Sequence, residues 1–453
     1  MNEKKTKIAI IGGGVAGISA AVELCEHSVP FYMFEQAGRL GGRASSFLDA
    51  ESGDCIDNGQ HLISGAYHCF FNMLEKLGTE KHFLRQDSLK VPFLEKKLLN
   101  RNESEINKYL LNTSILKGKS GKVLGLLNMK SLSLKSKLNI IQLFIKLQKK
   151  SFIVQNISII DFLKEQKQSE EAIKYFWEPL VLATLNASIS LSSALLLARV
   201  LRLSFFSDSK SSALLFPKIG LSEYYNNLKD LAIKNNSKLF LNERIVSIKK
   251  KGNAFELISK NGSRFEADCL IAALPPQALL KILPNEISEN PFFDEMKSYK
   301  YSAILSVYFW TEKEIFQDMF SALINSKFHW IFNRNAFLDR KSKYFSYTLT
   351  TSSAENLINL SKKEISNLIN EELEHFFQKK EKPLFMKIIK ERRATLQISP
   401  AIEAKRYDNR TPISGFYLAG DWTATALPAT IESAAQSGRR AVKLFLKENG
   451  NRK

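Results

Sequence analysis

The chain has 453 residues, with 65 lysines and arginines against 46 aspartates and glutamates, a formal net charge of +19. That length supports two substantial domains around a large core, and the basic excess asks for an acidic partner, either a nucleic acid or an anionic membrane surface. With no zinc spacing, no ribonucleoprotein aromatic signature and no basic readout helix, nucleic acid is set aside. Four cysteines (Cys25, Cys55, Cys69 and Cys269) lack C-x-x-C spacing, which sets aside a disulfide framework and a metal site.

In chain order, the first element is Ile8-Ala-Ile-Ile, an apolar run suited to a strand buried on both faces of a parallel sheet. Gly12, Gly14 and Gly17 follow in G-x-G-x-x-G spacing, allowing a tight turn, close approach to a pyrophosphate and close packing of the next helix. The helix predicted over residues 15–25, opening on Val15, Ala16 and Gly17, aims its free amides at phosphate. A second strand, Phe31-Tyr-Met-Phe, ends at Glu35, placed to accept both hydroxyls of an adenosine ribose. The unit announces a dinucleotide without saying which one. A second glycine pair with arginine, Gly41-Gly42-Arg43, then lies just beyond the ribose acid, and Asp57-Asn-Gly-Gln-His-Leu comes next. A nicotinamide domain has no need of these, whereas a flavin running deep into the protein needs more contacts along its pyrophosphate.

Residues 116–155 hold nine lysines and no acid, interleaved with leucines, isoleucines and phenylalanine. They read either as a basic amphipathic segment lying in a headgroup region or as ordinary surface helices. Residues 181–200, the longest apolar stretch, are interrupted by Asn186, serines and Arg199, and read as a buried loop and helix; no run of about 18 uncharged apolar residues occurs, so no span is expected. The N-terminus passes from polar residues straight into the first strand without a signal peptide, which predicts a cytoplasmic protein touching, at most, the inner face of the membrane. Phe216-Pro-Lys-Ile-Gly-Leu-Ser is read as opening a helix through Leu228 and Leu231. Strands are predicted over residues 239–241, 245–249 and 255–258, with Asn261-Gly262 as a hairpin turn. Ala267-Asp-Cys-Leu-Ile-Ala-Ala-Leu-Pro-Pro is a further buried strand. Leu305-Ser-Val-Tyr-Phe-Trp and Phe345-Ser-Tyr-Thr-Leu-Thr alternate as strands, and Gly415-Phe-Tyr-Leu-Ala-Gly-Asp-Trp is a short buried strand before a helix with Pro428 near its first turn. The strands and helices therefore predict an α/β fold, with residues 1–76, 211–284 and 396–453 forming a dinucleotide-binding domain and residues 77–210 and 285–395 inserted as a substrate domain.

On the glycine unit and Gly41-Gly42-Arg43, the chain resembles the FAD-dependent amine oxidase and phytoene desaturase superfamily. On Asp57-Asn-Gly-Gln-His-Leu-Ile-Ser-Gly-Ala-Tyr, Trp177-Glu-Pro-Leu with Leu185-Asn186, and Ala419-Gly-Asp-Trp-Thr with Leu427-Pro-Ala-Thr-Ile-Glu-Ser-Ala, it resembles the hydroxysqualene dehydroxylase branch in particular. The resemblance implies a Rossmann-type FAD domain of the amine oxidase (GR2) class with an inserted α+β substrate domain. It implies FAD as cofactor, with Gly41, Gly42 and Arg43 on the pyrophosphate and Gly59, Gln60 and His61 beside the isoalloxazine. Val246 would present its backbone to the adenine, Gly420 and Asp421 would meet the ribityl and phosphate region, and Thr430 and Ile431 would face the pyrimidine end, where a helix dipole stabilises negative charge.

The implied reaction is reductive removal of the hydroxyl of hydroxysqualene to give squalene, by ionisation to an allylic cation and hydride transfer from N5 of reduced FAD. The implied partners are a hydrophobic triterpenoid and upstream squalene-pathway enzymes, beside the anionic lipid suggested by the lysine-rich residues 116–155. A general acid is needed near the ring. His61 is the candidate, a structural histidine bonding cofactor or backbone being the other reading of it, and Glu178 is the weaker candidate. A carotenoid or phytoene-type desaturase and a non-enzymatic isoprenoid-binding protein of the same fold are the alternative functions.

Overall fold

The structure, a computed structural model, describes residues 7–100, 103–113, 125–340, 342–377 and 381–450. At its centre lies a five-stranded, wholly parallel sheet in the order Lys238–Phe240, Phe31–Phe34, Ile8–Ile11, Cys269–Ala272, Phe416–Leu418. The first two strands of the chain, two from its middle and one near its end thus build a single Rossmann-type layer. Every residue of Ile8–Ile11 and Cys269–Ala272 is buried, as a central parallel strand covered on both faces requires.

One face is covered by the helix Val15–Glu26 and the C-terminal helix Ile431–Gly450. These two pack at close range because Gly438 has no side chain: a Cβ there would stand 2.0 Å from the Ala16 carbonyl oxygen. Ser19 Oγ, which donates to Ala435 O at 2.6 Å, fixes the same contact.

Beside the sheet, Ile245–Lys251, Ala254–Ser259 and Arg264–Ala267 form an antiparallel meander. Asn261-Gly262 turns the second of these strands into the third, and the first pair turns at Gly252, whose φ is +58°. The third strand carries no expectation from the sequence, and Ala267, expected to open the buried strand, instead ends Arg264–Ala267, with Asp268 separating it from Cys269–Ala272. Phe216 also departs from expectation. It lies in the strand Leu214–Pro217, and the helix read through Leu231 is split into a 3-10 turn, Leu221–Tyr225, and a short helix, Leu228–Lys234. Leu214–Pro217 is drawn into pairing by Ile63–Ser64 and Phe83–Arg85, a tertiary demand invisible in local pattern. Pro428 stands in the loop three residues before the helix Ile431–Gly450.

The second large layer is a seven-stranded sheet in the order Phe385–Leu396, Tyr301–Thr311, Phe345–Ser352, Trp330–Asn333, Phe320–Ile324, Lys90–Asn100, Glu103–Asn112. It is antiparallel except where Phe320–Ile324 meets Lys90–Asn100. Alternation along Tyr301–Thr311 gives it two unlike faces. Leu305, Val307 and Phe309 pack under the helix Lys362–Phe377, while Tyr308 and Trp310 turn toward Ile56. The Trp310 indole N–H donates to Asp54 at 2.6 Å, tying this sheet to the loops of the parallel one.

A helical layer completes the inserted part, including Leu134–Gln148, Ile159–Glu165, Glu178–Leu185 and Ala194–Val200. Two of its segments, Ile173–Trp177 and Leu201–Phe205, are π-helical, and there Phe144 meets Trp177 and Phe206 edge to face, Phe176 meets Trp177 in the same way, and Phe205 lies tilted against Phe144. Of the lysine-rich stretch, Lys117, Lys119, Lys122 and Leu124 lie outside the described residues. No described helix is long and apolar enough to cross a membrane.

Candidate FAD site

The parallel sheet presents the glycine turn at the carboxyl ends of its strands, where ligands of such sheets bind. Gly12 N donates to Phe34 O at 2.8 Å, and a Cβ on Gly17 would stand 1.9 Å from Gly12 O, so strand, turn and helix are in direct backbone contact. Gly14 is the N-cap of Val15–Glu26; no side chain caps this helix and its first turn holds no acid. The amides of Val15, Ala16 and Gly17 are therefore left without a side-chain cap, with the positive end of the helix dipole behind them. A Cβ on Gly14 would meet nothing within 4 Å. Gly41 forms a parallel bridge with Gly14 and donates to Gly13 O at 2.8 Å, with φ of +107° that only glycine adopts readily.

Glu35 is buried at the end of its strand. One carboxylate oxygen accepts from Gly13 N at 2.7 Å and the other from Ala37 N at 2.8 Å. The residue read as the ribose acid thus also clamps the glycine turn, each oxygen keeping a lone pair for a further donor. Val246 lies in the edge strand of the meander, at a register shift between Ile245 and Ser247 that frees its backbone from the ladder.

Arg43 and Asp421, assigned to neighbouring parts of the cofactor, are brought together directly: the guanidinium donates to the Asp421 carboxylate at 2.7 Å and to Ala394 O at 2.6 Å. Asp421 is buried, and its field holds the Arg43 guanidinium above its ordinary value against the opposing cost of burial. Gly420 N donates to Ser437 Oγ at 2.9 Å, fixing the strand end against the C-terminal helix. At that helix, Thr430 Oγ1 accepts from Ser433 N at 3.3 Å, so Thr430 acts as its side-chain cap and Ile431 is its first residue.

The segment 58–62 bridges the two sheets. Asn58 donates to Glu391 at 3.1 Å, and Thr348 Oγ1 lies 3.5 Å from Gln60 Oε1. His61 Nδ1 donates to Gly59 O at 2.7 Å, which leaves Nε2 as its free nitrogen. Burial pushes the His61 imidazole down and the neighbouring Asp57 carboxyl up, both toward their uncharged forms, while their mutual attraction opposes it. Asp57 accepts from Ser46 Oγ at 2.7 Å and Leu221 N at 3.1 Å.

Glu178, by contrast, is exposed at the start of Glu178–Leu185 and has no hydrogen bond or ion pair among the described residues; partial burial raises its carboxyl above the ordinary value. Asn186, which ends that helix in the left-handed region, donates to Thr395 Oγ1 at 2.9 Å and accepts from Ser353 N at 2.8 Å, so it is the carboxyl end of the helix that reaches the seven-stranded sheet.

Several residues without a sequence signal hold this arrangement. Arg406 is wholly buried and donates to Leu427 O at 2.6 Å, Asp421 O at 2.9 Å, Trp422 O at 3.4 Å and Glu403 at 3.1 Å, closing the loop after Phe416–Leu418. Glu432 reaches from the C-terminal helix to accept from Cys69 N and Phe70 N, both at 2.9 Å, at the start of the helix His68–Leu77. Burial pushes Glu432 from 4.5 up to about 7, with the two amides pulling the other way. Folding keeps a proton on this carboxyl between those values, so its contribution favours the fold at acid pH and is lost as pH rises through about 7, roughly 3 kcal/mol in all. Measured by urea unfolding, wild type is expected to lose about that much relative to Glu432→Gln between about pH 5 and about pH 8; a constant difference across this range would refute the assignment.

Two buried groups at the glycine segments leave room for a bound group. The hydroxyl of Tyr225, whose ring edge lies beside Gly41, and the Ser306 hydroxyl, beside Gly59, have no partner among the described residues, and such groups are normally satisfied. The family model for flavin-containing amine oxidoreductases matches residues 15–445. The chain belongs to that family. It is a FAD-dependent oxidoreductase, and the open glycine turn, the unpartnered hydroxyls and the uncapped helix amides are compatible with that cofactor. The hydroxysqualene dehydroxylase of Sinorhizobium fredii is 26% identical over 97% of this chain and 98% of its own length. The chloroplastic 15-cis-phytoene desaturase of Solanum lycopersicum is 23% identical over 98% of this chain and 78% of its own. The solved structure of cyclohexylamine oxidase from Brevibacterium oxydans superposes with a TM-score of 0.69 at 16% identity, covering 98% of this chain and 100% of the other, and shows the shared fold. No group of three or more potential metal ligands occurs among the described residues.

Proposed function

We propose that the protein reduces hydroxysqualene to squalene, a hydrophobic isoprenoid conversion in which a carbon–oxygen bond breaks, the oxygen leaves as water and a carbon–hydrogen bond forms. The observation that carries this reading is the end-to-end likeness to hydroxysqualene dehydroxylases, closer than that to the phytoene desaturases. Reduced FAD, when bound, supplies the two electrons with a hydride equivalent. Gly14, Val15, Ala16, Gly17, Gly42, Arg43 and Asp421 would hold its phosphates and ribityl chain, Glu35 its ribose, Val246 its adenine, and Gly59, Gln60, Thr430 and Ile431 its ring.

The protein must supply a proton to the leaving hydroxyl and keep water from the allylic cation that results. His61 is assigned the first task. Its Nδ1 proton is committed to Gly59 O, so delivery falls to Nε2, with Asp57 compensating the charge of the imidazolium. Because burial lowers the histidine, turnover is expected to decline with rising pH on a limb below the ordinary histidine value. His61→Leu is expected to keep its flavin and lose about 10²-fold to 10⁴-fold in kcat. Unchanged turnover would remove His61 from the role, and the same loss in Glu178→Gln alone would transfer the role to Glu178. An upstream enzyme making the allylic alcohol, and a position at the inner face of the cytoplasmic membrane, complete the proposal. Anaerobically reduced protein given hydroxysqualene is expected to form squalene; formation of none, with the oxidised protein instead converting phytoene to a polyene as its flavin is reduced, would favour the desaturase reading.

A further inference from the structure

The helix Leu134–Gln148 is apolar on two opposite faces. Ser136, Ile140, Leu143 and Leu147 are buried along one. Leu134, Leu138, Ile141 and Ile145 recur at i, i+4, i+7 and i+11 along the other, a single stripe at helical spacing in which Ile141 is partly buried against the core. Leu134 is 66% exposed, Leu138 48% and Ile145 53%, and Ile153, just past the helix, is 84% exposed. The turn bearing Ile153 is held in place, since Arg202 donates to Leu147 O at 3.0 Å and to Phe152 O at 2.9 Å. Isolated exposed leucines are common on soluble proteins, but a contiguous row on the outward face of an ordered helix marks an interaction surface.

The charges on this segment itself are of one sign. Lys130, Lys135, Lys146, Lys149 and Lys150 are exposed along it, and residues 125–155 contain no acid. Glu171, from the neighbouring helical turn, is occupied by the Ser133 and Ser136 hydroxyls. A second copy docked here by twofold symmetry would set these lysines against themselves.

We propose that this face docks on an anionic lipid bilayer, with Leu134, Leu138, Ile145 and Ile153 entering the boundary between headgroups and acyl chains and the lysines meeting lipid phosphate. The inner side of the same helix contributes Phe144 to the aromatic cluster with Phe176, Trp177, Phe205 and Phe206. Docking here would set that cluster over the bilayer in which an isoprenoid alcohol dissolves, a purpose that rests on the proposed function although the binding itself does not.

The test uses the full chain loaded with FAD, without substrate, sedimented with vesicles of phosphatidylcholine alone or with added phosphatidylglycerol. Wild type is expected to bind the anionic vesicles and to be released by salt. Leu138→Glu with Ile145→Glu is expected to lower partitioning at least about 10-fold, with Ile233→Glu, an equally exposed position on the flavin side, unchanged. Lys149→Glu with Lys150→Glu is expected to lose the preference for anionic lipid while keeping its flavin spectrum. Equal binding by all variants, failure of wild type to bind, or a wild-type dimer that the Leu138 and Ile145 pair dissociates would each overturn the proposal. Since no turnover is measured, these results stand apart from success or failure with hydroxysqualene.

Discussion

Gly14→Ala is expected to fold with nearly wild-type stability yet to bind FAD about 10-fold to 100-fold more weakly. The new Cβ meets no protein atom within 4 Å, and Gly14 has ordinary φ of −73°, so the fold has little to lose. As an N-cap exchange it costs under about 1 kcal/mol. What the methyl does meet is whatever occupies the open side of the turn, and overpacking a well-fitted contact costs about 1–3 kcal/mol. Gly17→Ala is the contrasting case: its Cβ would stand 1.9 Å from Gly12 O, so the backbone must move and both stability and flavin content fall together. Flavin absorbance per chain and urea unfolding of the FAD-free protein separate the two. If Gly14→Ala kept full FAD affinity, the pyrophosphate would not lie over this turn.

Arg406→Leu is expected to destabilise the fold by about 3–5 kcal/mol, the range for removing one partner of a buried ionic network. The substitution leaves the carbonyls of Asp421, Trp422 and Leu427 without their donor. Glu403 would keep only Arg199, a more exposed partner. Because these carbonyls belong to the loop carrying Asp421, flavin content should drop even in the protein that remains folded. A urea midpoint within about 1 kcal/mol of wild type would mean that the loop is held by other contacts, such as the Trp422 indole bonded to Leu274 O at 3.1 Å.

Much of the cofactor end is readable from residue order because its contacts are local. Strand, glycine turn, helix, strand and Glu35 fall within 28 residues, and each step has its own chemical signature. Arg406 carries no such signature: it sits in Lys405-Arg-Tyr-Asp, outside any motif, and its partners are chosen by how the loop after Phe416–Leu418 folds back. Nor does residue order show that Arg43 and Asp421, 378 positions apart, would be paired. The same holds for the bridge from Asn58 to Glu391 across two sheets.

The helix Leu134–Gln148 shows where the division falls. Its periodicity is written in the residues, which place Leu134, Leu138, Ile141 and Ile145 on one stripe and Ile140, Leu143 and Leu147 on another. Both stripes are apolar, so pattern alone assigns neither to the core. Helical spacing depends on backbone geometry within a few turns, and any chain with these residues has both stripes. Burial depends on which distant elements arrive, and here the cluster around Phe176, Trp177 and Phe205 arrives on one side while, among the described residues, Leu134, Leu138 and Ile145 keep their exposure. Residue order was therefore enough for the dinucleotide unit, whose parts are neighbours in the chain. The junction of the two sheets is set by packing between segments hundreds of residues apart, while the buried arginine and the outward apolar face are set by how loops and helices fold back beyond the reach of local pattern.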